Sequence, residues 1–267
     1  MLQAFIDESF ERDGVFVLGG YIASAEAWAR FAVEWDKLLK PFGTLRGDGR
    51  YHFKMSEMAE NKERLARVPI FFRVIEDHVL GWVSAKIDVS ELKRAMSRIV
   101  VQNAEIDWGG YANPYFIAFR ALVDLFHLNR RNMTQAIPID QKIDFYFDDR
   151  MEKKPILEMW DNYMKARPEA TKDFYGAAPR FEDDMILLPL QAADFWVWWV
   201  RKWYLERTPE KIKSCAFGSF GLRGERRFLR VEITYNEDQL VESLTKSARL
   251  QLDPGRPIYD VNDFIFD

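Results

Sequence analysis

A chain of 267 residues that is 48% hydrophobic and 15% aromatic carries enough apolar side chain for one large domain or two small ones, and is predicted to be globular. Its formal net charge of −4 gives no overall attraction to nucleic acid or to an anionic membrane, so either partner would have to be met by a local patch. One cysteine, Cys215, excludes an internal disulfide, and His52, His78 and His127 are too few to build a common Cys/His zinc site with it. No charged-then-apolar leader opens the sequence and no apolar run is long enough to span a bilayer, so the expectation is a soluble, cytoplasmic protein without a membrane partner.

Residues 2 to 8 and 15 to 22 are β-rich runs flanking an Asp13-Gly14 pair, which predicts an antiparallel hairpin. Ser24 is a fitting N-cap for a helix whose apolar positions Ala27, Trp28, Phe31, Trp35, Leu38 and Leu39 follow helical spacing and which Pro41 should stop. Gly43, Gly47 and Gly49 mark a loop into Tyr51-His52-Phe53-Lys54, and residues 56 to 78 read as helical despite Pro69. Residues 81 to 89 predict a third strand, followed by helices at about 91 to 103 and 114 to 129, with a loop between them.

Ile143 to Asp148 is a nearly continuous apolar run of strand length, which suits a central strand buried on both faces. A short helix at 155 to 165 and a last strand somewhere in 177 to 188 precede Pro189, whose fixed φ suits the first turn of a helix reaching about Glu206. Beyond it, 227 to 235 is a strand candidate and 238 to 250 a helix. The order predicts a mixed α/β domain over residues 1 to 206, with a C-terminal extension at 207 to 267 packed on the same domain.

Three acids sit where apolar runs stop: Asp7 after Ala4-Phe5-Ile6, Asp148 after Phe145-Tyr146-Phe147, and Asp194 within Leu190-Gln191-Ala192-Ala193-Asp194-Phe195. A carboxylate at the edge of a core costs free energy unless it is paired or binds a cation, so three on separate elements suggest one shared site. Gln191, Asp194, Trp198 and Arg201 share a helical stripe, and Ala192 and Ala193 are small enough to bring that helix close to a sheet. Oxygen ligands of high charge suit Mg²⁺ or Mn²⁺, and two such ions about 4 Å apart can activate water against a phosphodiester.

Each acid also has a structural explanation. Asp7 suits a turn, Asp148 or Asp149 a helix cap, and Asp194 a salt bridge. Glu8 should face away from Asp7 in a regular strand, yet at a strand end it could turn inward as a further ligand. His52 and Lys54, two apart in an extended segment, point to one face, where they could contact a phosphate or move a proton, or form an exposed polar edge. Residues 201 to 230 hold nine basic side chains against three acids, a candidate path for nucleic acid or a solvated surface. Trp196, Trp198, Trp199 and Trp203 fit core packing first, and base stacking or a homodimer contact second. No G-x-x-x-x-G-K-[ST], G-x-S-x-G or H-E-x-x-H motif is present. An aspartyl nucleophile at Asp148 is conceivable, although the run is Asp148-Asp149-Arg150 rather than D-x-D.

Phe5-Ile6-Asp7-Glu8-Ser9, Val17-Leu18-Gly19-Gly20, the Asp148 strand end and Leu190-Gln191-Ala192-Ala193-Asp194 resemble, in order and spacing, the bacterial and phage family called domain of unknown function thirty-eight hundred, over about residues 3 to 205. That family is similar to ribonuclease H-like folds, in which acids on the first strand, a later central strand and the last helix hold divalent metal for phosphodiester cleavage. The resemblance implies a ribonuclease H-like α/β fold with Asp7, Asp148 and Asp194 as ligands, and with Glu8, Gln191 and His52 near them. Phe10 stands where a glycine usually follows I-D-E-S, and Glu57 is the candidate for a fourth acid. The expected activity is therefore a Mg²⁺- or Mn²⁺-dependent nuclease, with Asp7, Glu8, Asp148, Asp149 and Asp194 as the ligand set and His52 and Lys54 as further catalytic groups. The alternative is a noncatalytic nucleic-acid- or protein-binding protein on the same scaffold.

Overall fold

The structure, a computed structural model, describes residues 1–11, 14–134, 137–149, 153–165, 167–214, 229–252 and 255–264. Its frame is a mixed sheet of six strands: β1 (Leu2–Phe10), β2 (Val15–Ser24), β3 (Gly81–Asp88), β4 (Ile143–Asp148), β5 (Arg180–Glu182) and β6 (Leu229–Thr234). They lie in the order β5-β4-β1-β2-β3-β6. β1, β2 and β3 form an antiparallel meander, while β4 runs parallel to β1, β5 parallel to β4, and β6 parallel to β3.

Among the described residues, seven longer helices cover the two faces: α1 (Ala25–Phe42), α2 (Val68–His78), α3 (Val89–Arg98), α4 (Pro114–Asn129), α5 (Lys153–Lys165), α6 (Pro189–Leu205) and α7 (Glu237–Gln251). Alternation along the strands decides which face each side chain serves. Ala4, Ile6, Leu18, Val83, Phe145 and Phe147 join a core with α3, α4, α5 and α7. Phe5, Val17, Tyr21, Trp82 and Tyr146 join the opposite core with α1, α2 and α6. The mixed α/β class and the N-terminal antiparallel pair agree with the sequence reading, and β4 is flanked by strands on both sides with five of its six residues buried. Strand β6, from the expected C-terminal extension, joins the main sheet beside β3.

Several boundaries differ from expectation. The helix predicted over 56 to 78 is three pieces, Met55–Met58, Lys62–Leu65 and α2. Asn61 starts the second by accepting the Arg64 N–H, and Pro69, which has no N–H to give, is placed in the first turn of α2. Pro41 does not stop α1 at once; the helix runs to Phe42 and is capped by Gly43. The helix expected to reach residue 103 ends at Arg98, because Ile99–Val101 is a strand paired with Ile258–Asp260. The loop at 43 to 54 contains two short strands, Thr44–Leu45 and Tyr51–His52.

The tryptophans of α6 are largely core. Trp196 and Trp203 are fully buried, and Trp198 and Trp199 are half-buried with the Lys202 ammonium over both rings. Much of the basic stretch at 201 to 230, including Arg223, Arg226 and Arg227, lies outside the described residues, as do Cys215 and the Arg12-Asp13 pair of the hairpin turn. Among the described residues, no helix is long and apolar enough to cross a membrane.

Candidate functional site

Parallel pairing of β1 with β4 matches Phe5 with Tyr146 and Ile6 with Phe147. The Phe5 and Tyr146 rings stack at 4.8 Å, on the face that α6 covers. One same-face step further along each strand stand Asp7 and Asp148, so these two acids occupy neighbouring positions at the edge of that core. Asp7 is not a turn residue: β1 continues to Phe10, pairing Asp7 with Gly19 and Glu8 with Leu18. That unbroken register keeps Glu8 on the opposite face and gives it no strand end at which to turn inward.

Asp194 arrives from α6. Gly20 of β2 leaves the gap in which Ala193 packs: a Cβ at position 20 would lie 3.1 Å from the Ala193 Cβ and 1.9 Å from the Phe5 carbonyl oxygen. This close approach sets the next residue, Asp194, against the sheet beside Asp7. Both are nearly inaccessible, Asp7 at 2% and Asp194 at 7% exposure.

What joins them is Lys54. Its Nζ lies 2.8 Å from Asp194 Oδ1 and 3.7 Å from Asp7 Oδ2, so the two carboxylates are no farther apart than the sum of those distances. The other Asp194 oxygen, Oδ2, accepts the Met55 N–H at 2.6 Å, capping the short helix Met55–Met58 from another element. Asp7 Oδ1 accepts the Glu8 N–H at 2.8 Å. Burial alone would lower the Lys54 pKa, but Asp194, Asp7 and Asp148 outweigh it and hold the ammonium above the ordinary lysine value.

Gln191, fully buried one turn before Asp194, fixes the approach of this lysine. Its Oε1 accepts both Trp35 Nε1–H at 2.9 Å and the Phe53 N–H at 3.1 Å, and its Nε2 donates to the Asp184 carbonyl at 3.0 Å. One amide therefore ties α1, the segment carrying His52 and Lys54, and the loop before α6. His52 is 5% exposed, with Nε2 3.2 Å from Glu57 Oε1 and a buried Nδ1 that has no hydrogen-bond partner among the described residues. Burial works against the Glu57 charge, but hydrogen bonds from Thr44 and His52 and the His52 charge hold its carboxyl below the usual range.

One acid in this neighbourhood has no clear signal in the sequence. Asp184 is half-buried; burial raises its carboxyl above the usual range, opposed by the Lys54 and His52 charges and reinforced by Asp183 and Asp7. Its loop position before Pro189 has no apolar run to mark it as a core-edge acid. Asp149 lies apart, exposed and 3.6 Å from Lys153, with its N–H on the Glu182 carbonyl. Arg201, on the same α6 stripe as Asp194, donates to Ser9 Oγ at 2.8 Å and to Glu11 at 3.0 Å.

The structure thus brings Asp7, Asp148, Asp194 and Lys54 together, anchors Gln191 one turn before Asp194, pairs His52 with Glu57, and sets Glu8 on the opposite face and Asp149 near Lys153. Among the described residues, no three His, Cys, Asp or Glu side chains are drawn closely enough to hold a metal ion as they stand. The donor set of Asp7, Asp148 and Asp194 nevertheless has the chemistry of a hard divalent cation site, and it already holds a cation in the form of an ammonium.

No family model matches the chain, and no curated protein matches it. Among solved structures, a chain of the PCNA–RNase HII complex from Archaeoglobus fulgidus aligns over 84% of this chain and 82% of its own, at 15% identity and a TM-score of 0.39.

Proposed function

We propose that the protein is a divalent-metal-dependent nuclease of ribonuclease H-like type, related to the domain of unknown function thirty-eight hundred. The observation that carries this reading is the placement of Asp7 and Asp148 at matched steps of two adjacent parallel strands, with Asp194 pressed against them from α6. Three nearly buried or half-buried carboxylates on one spot are costly for stability alone and suit cation-assisted phosphoryl chemistry.

In this reading Asp7, Asp148 and Asp194 would hold Mg²⁺ or Mn²⁺. Such a cation, when bound, supplies charge neutralisation at the phosphodiester and lowers the pKa of water. Asp194 offers Oδ1 for this purpose, since Oδ2 is committed to the Met55 N–H. Gln191 holds the Phe53 backbone, so Lys54 is presented from a fixed segment on the acid side, where it can contact a phosphate; His52, two residues before it and paired with Glu57, is the proposed proton carrier.

The test is cleavage of single-stranded DNA, duplex DNA, RNA and hybrid substrates with Mg²⁺ or Mn²⁺, comparing the protein with Asp148→Asn. The substitution is expected to lower the rate about 100-fold, the upper end of the usual loss at a perturbed metal site. Equal rates in both proteins would assign the cleavage to a contaminant and sink the proposal. A noncatalytic binding role is favoured by one observation, that the Lys54 ammonium already occupies a place among the acids; substrate binding without cleavage by the metal-supplemented protein would decide for it.

A further inference from the structure

We propose that Lys54 is the resident counter-cation of the acidic site and that it competes with divalent metal for the same carboxylates, so that metal loading requires the lysine side chain to leave. The inference rests on the metal-site reading above and adds its regulation.

Two nearly inaccessible carboxylates, Asp7 and Asp194, with Asp148 beside them, repel one another and lose their hydration unless a cation sits among them. The Lys54 ammonium is that cation, 2.8 Å from one acid and 3.7 Å from another. The carboxylates of Asp7 and Asp194 are thus spaced around an ammonium.

Lys54 is also built to move. Its backbone is pinned on both sides, by Phe53 N–H to Gln191 and by Met55 N–H to Asp194, while its side chain remains 28% exposed. The four-carbon stem can therefore rotate toward solvent without unseating the segment, and the Asp194 oxygen that holds Met55 is not the one that holds the ammonium. A divalent ion brings twice the charge of the ammonium into the same acids and would displace it once its concentration is high enough. The released lysine then stands at the rim of the site, where the phosphate of a substrate would lie.

The experiment is Mn²⁺ titration by calorimetry of the wild-type protein and of Lys54→Met, which keeps the bulk and removes the charge. The methionine variant is expected to bind Mn²⁺ about 10-fold or more tightly than wild type, because the competing positive charge is gone, to melt at lower temperature without metal, and to regain most of that loss with Mn²⁺. Equal or weaker affinity in the variant, or no Mn²⁺ binding by either protein, overturns the proposal. A second measurement uses wild-type protein alone: acylation of Lys54 by an amine-reactive ester, followed by mass spectrometry, should accelerate several-fold when Mg²⁺ is added. Unchanged or slower labelling also overturns it. Neither readout involves substrate, so a protein that cuts nothing yet shows both effects would lose the nuclease reading and keep this one.

Discussion

Gly20 on β2 and Ala193 on α6 approach so closely that a Cβ added to the glycine would sit 3.1 Å from the alanine Cβ and inside the Phe5 carbonyl oxygen. This contact controls the height of α6 above the sheet and hence the reach of Asp194 toward Asp7. Gly20→Ala is expected to cost about 1–3 kcal/mol through overpacking, and the loss should appear in urea unfolding together with weaker Mn²⁺ binding. A variant as stable as wild type would show that the helix rides free of this contact.

Asp194→Ala removes the nearer Lys54 partner and the acceptor for the Met55 N–H at once. A destabilisation of about 1–3 kcal/mol is expected, because the buried Met55 N–H loses its acceptor and the Lys54 ammonium keeps only its longer contact to Asp7. Asp194→Asn keeps an acceptor for Met55 and should cost less. Chemical denaturation of the two variants side by side checks the order, and equal losses would place the whole cost on the charge.

Gln191→Met fills the same space without polar atoms. It strands Trp35 Nε1–H and the Phe53 N–H, both buried, for about 2–4 kcal/mol. The more telling readout is hydrogen exchange at Phe53 and Met55, which should accelerate if Gln191 is what holds the lysine-bearing segment. Unaltered exchange there would leave Gln191 with a packing role only.

Away from the site, Arg98 ties α3 to the chain's last strand through a fork on Asp260, at 3.1 Å from Nε and 2.6 Å from Nη2. The hydrogen bond to Arg98 is the main reason that the Asp260 carboxyl lies below its ordinary value of 3.8. A depressed carboxyl stabilises the fold above its unfolded pKa and loses that contribution as pH falls through the folded value. Arg98→Ala should cost about 1 kcal/mol at pH 7. The gap to wild type should narrow as pH falls below the ordinary values of 4.5 for Glu237, which Arg98 also helps to hold low, and 3.8 for Asp260. Thermal melts across that range test it, and a gap independent of pH would assign the loss to packing.

Much of this was legible because local rules act within one element. Ser24 caps α1, accepting the Ala27 N–H, and Pro189 occupies the first turn of α6. The alternation Phe5-Ile6-Asp7 and Tyr146-Phe147-Asp148 puts each acid on the same face as the aromatic two residues earlier. The continuous helix expected over 56 to 78 failed for the same local reason read too coarsely: Asn61 and Pro69 are both start signals, and together they cut the segment into separate turns.

The sequence by itself determined that Asp7, Asp148 and Asp194 would lie at the edges of core elements, since apolar runs end there, and that small residues beside Asp194 would allow a close helix. It could not determine what fills the space between them. Lys54 reached that position through the break before Met55 and the Gln191 clamp, and Asp184 came near through the loop before α6. Strand register, helix height and loop path are set by packing among residues more than a hundred positions apart, so only the tertiary structure could decide that a lysine stands between these acids.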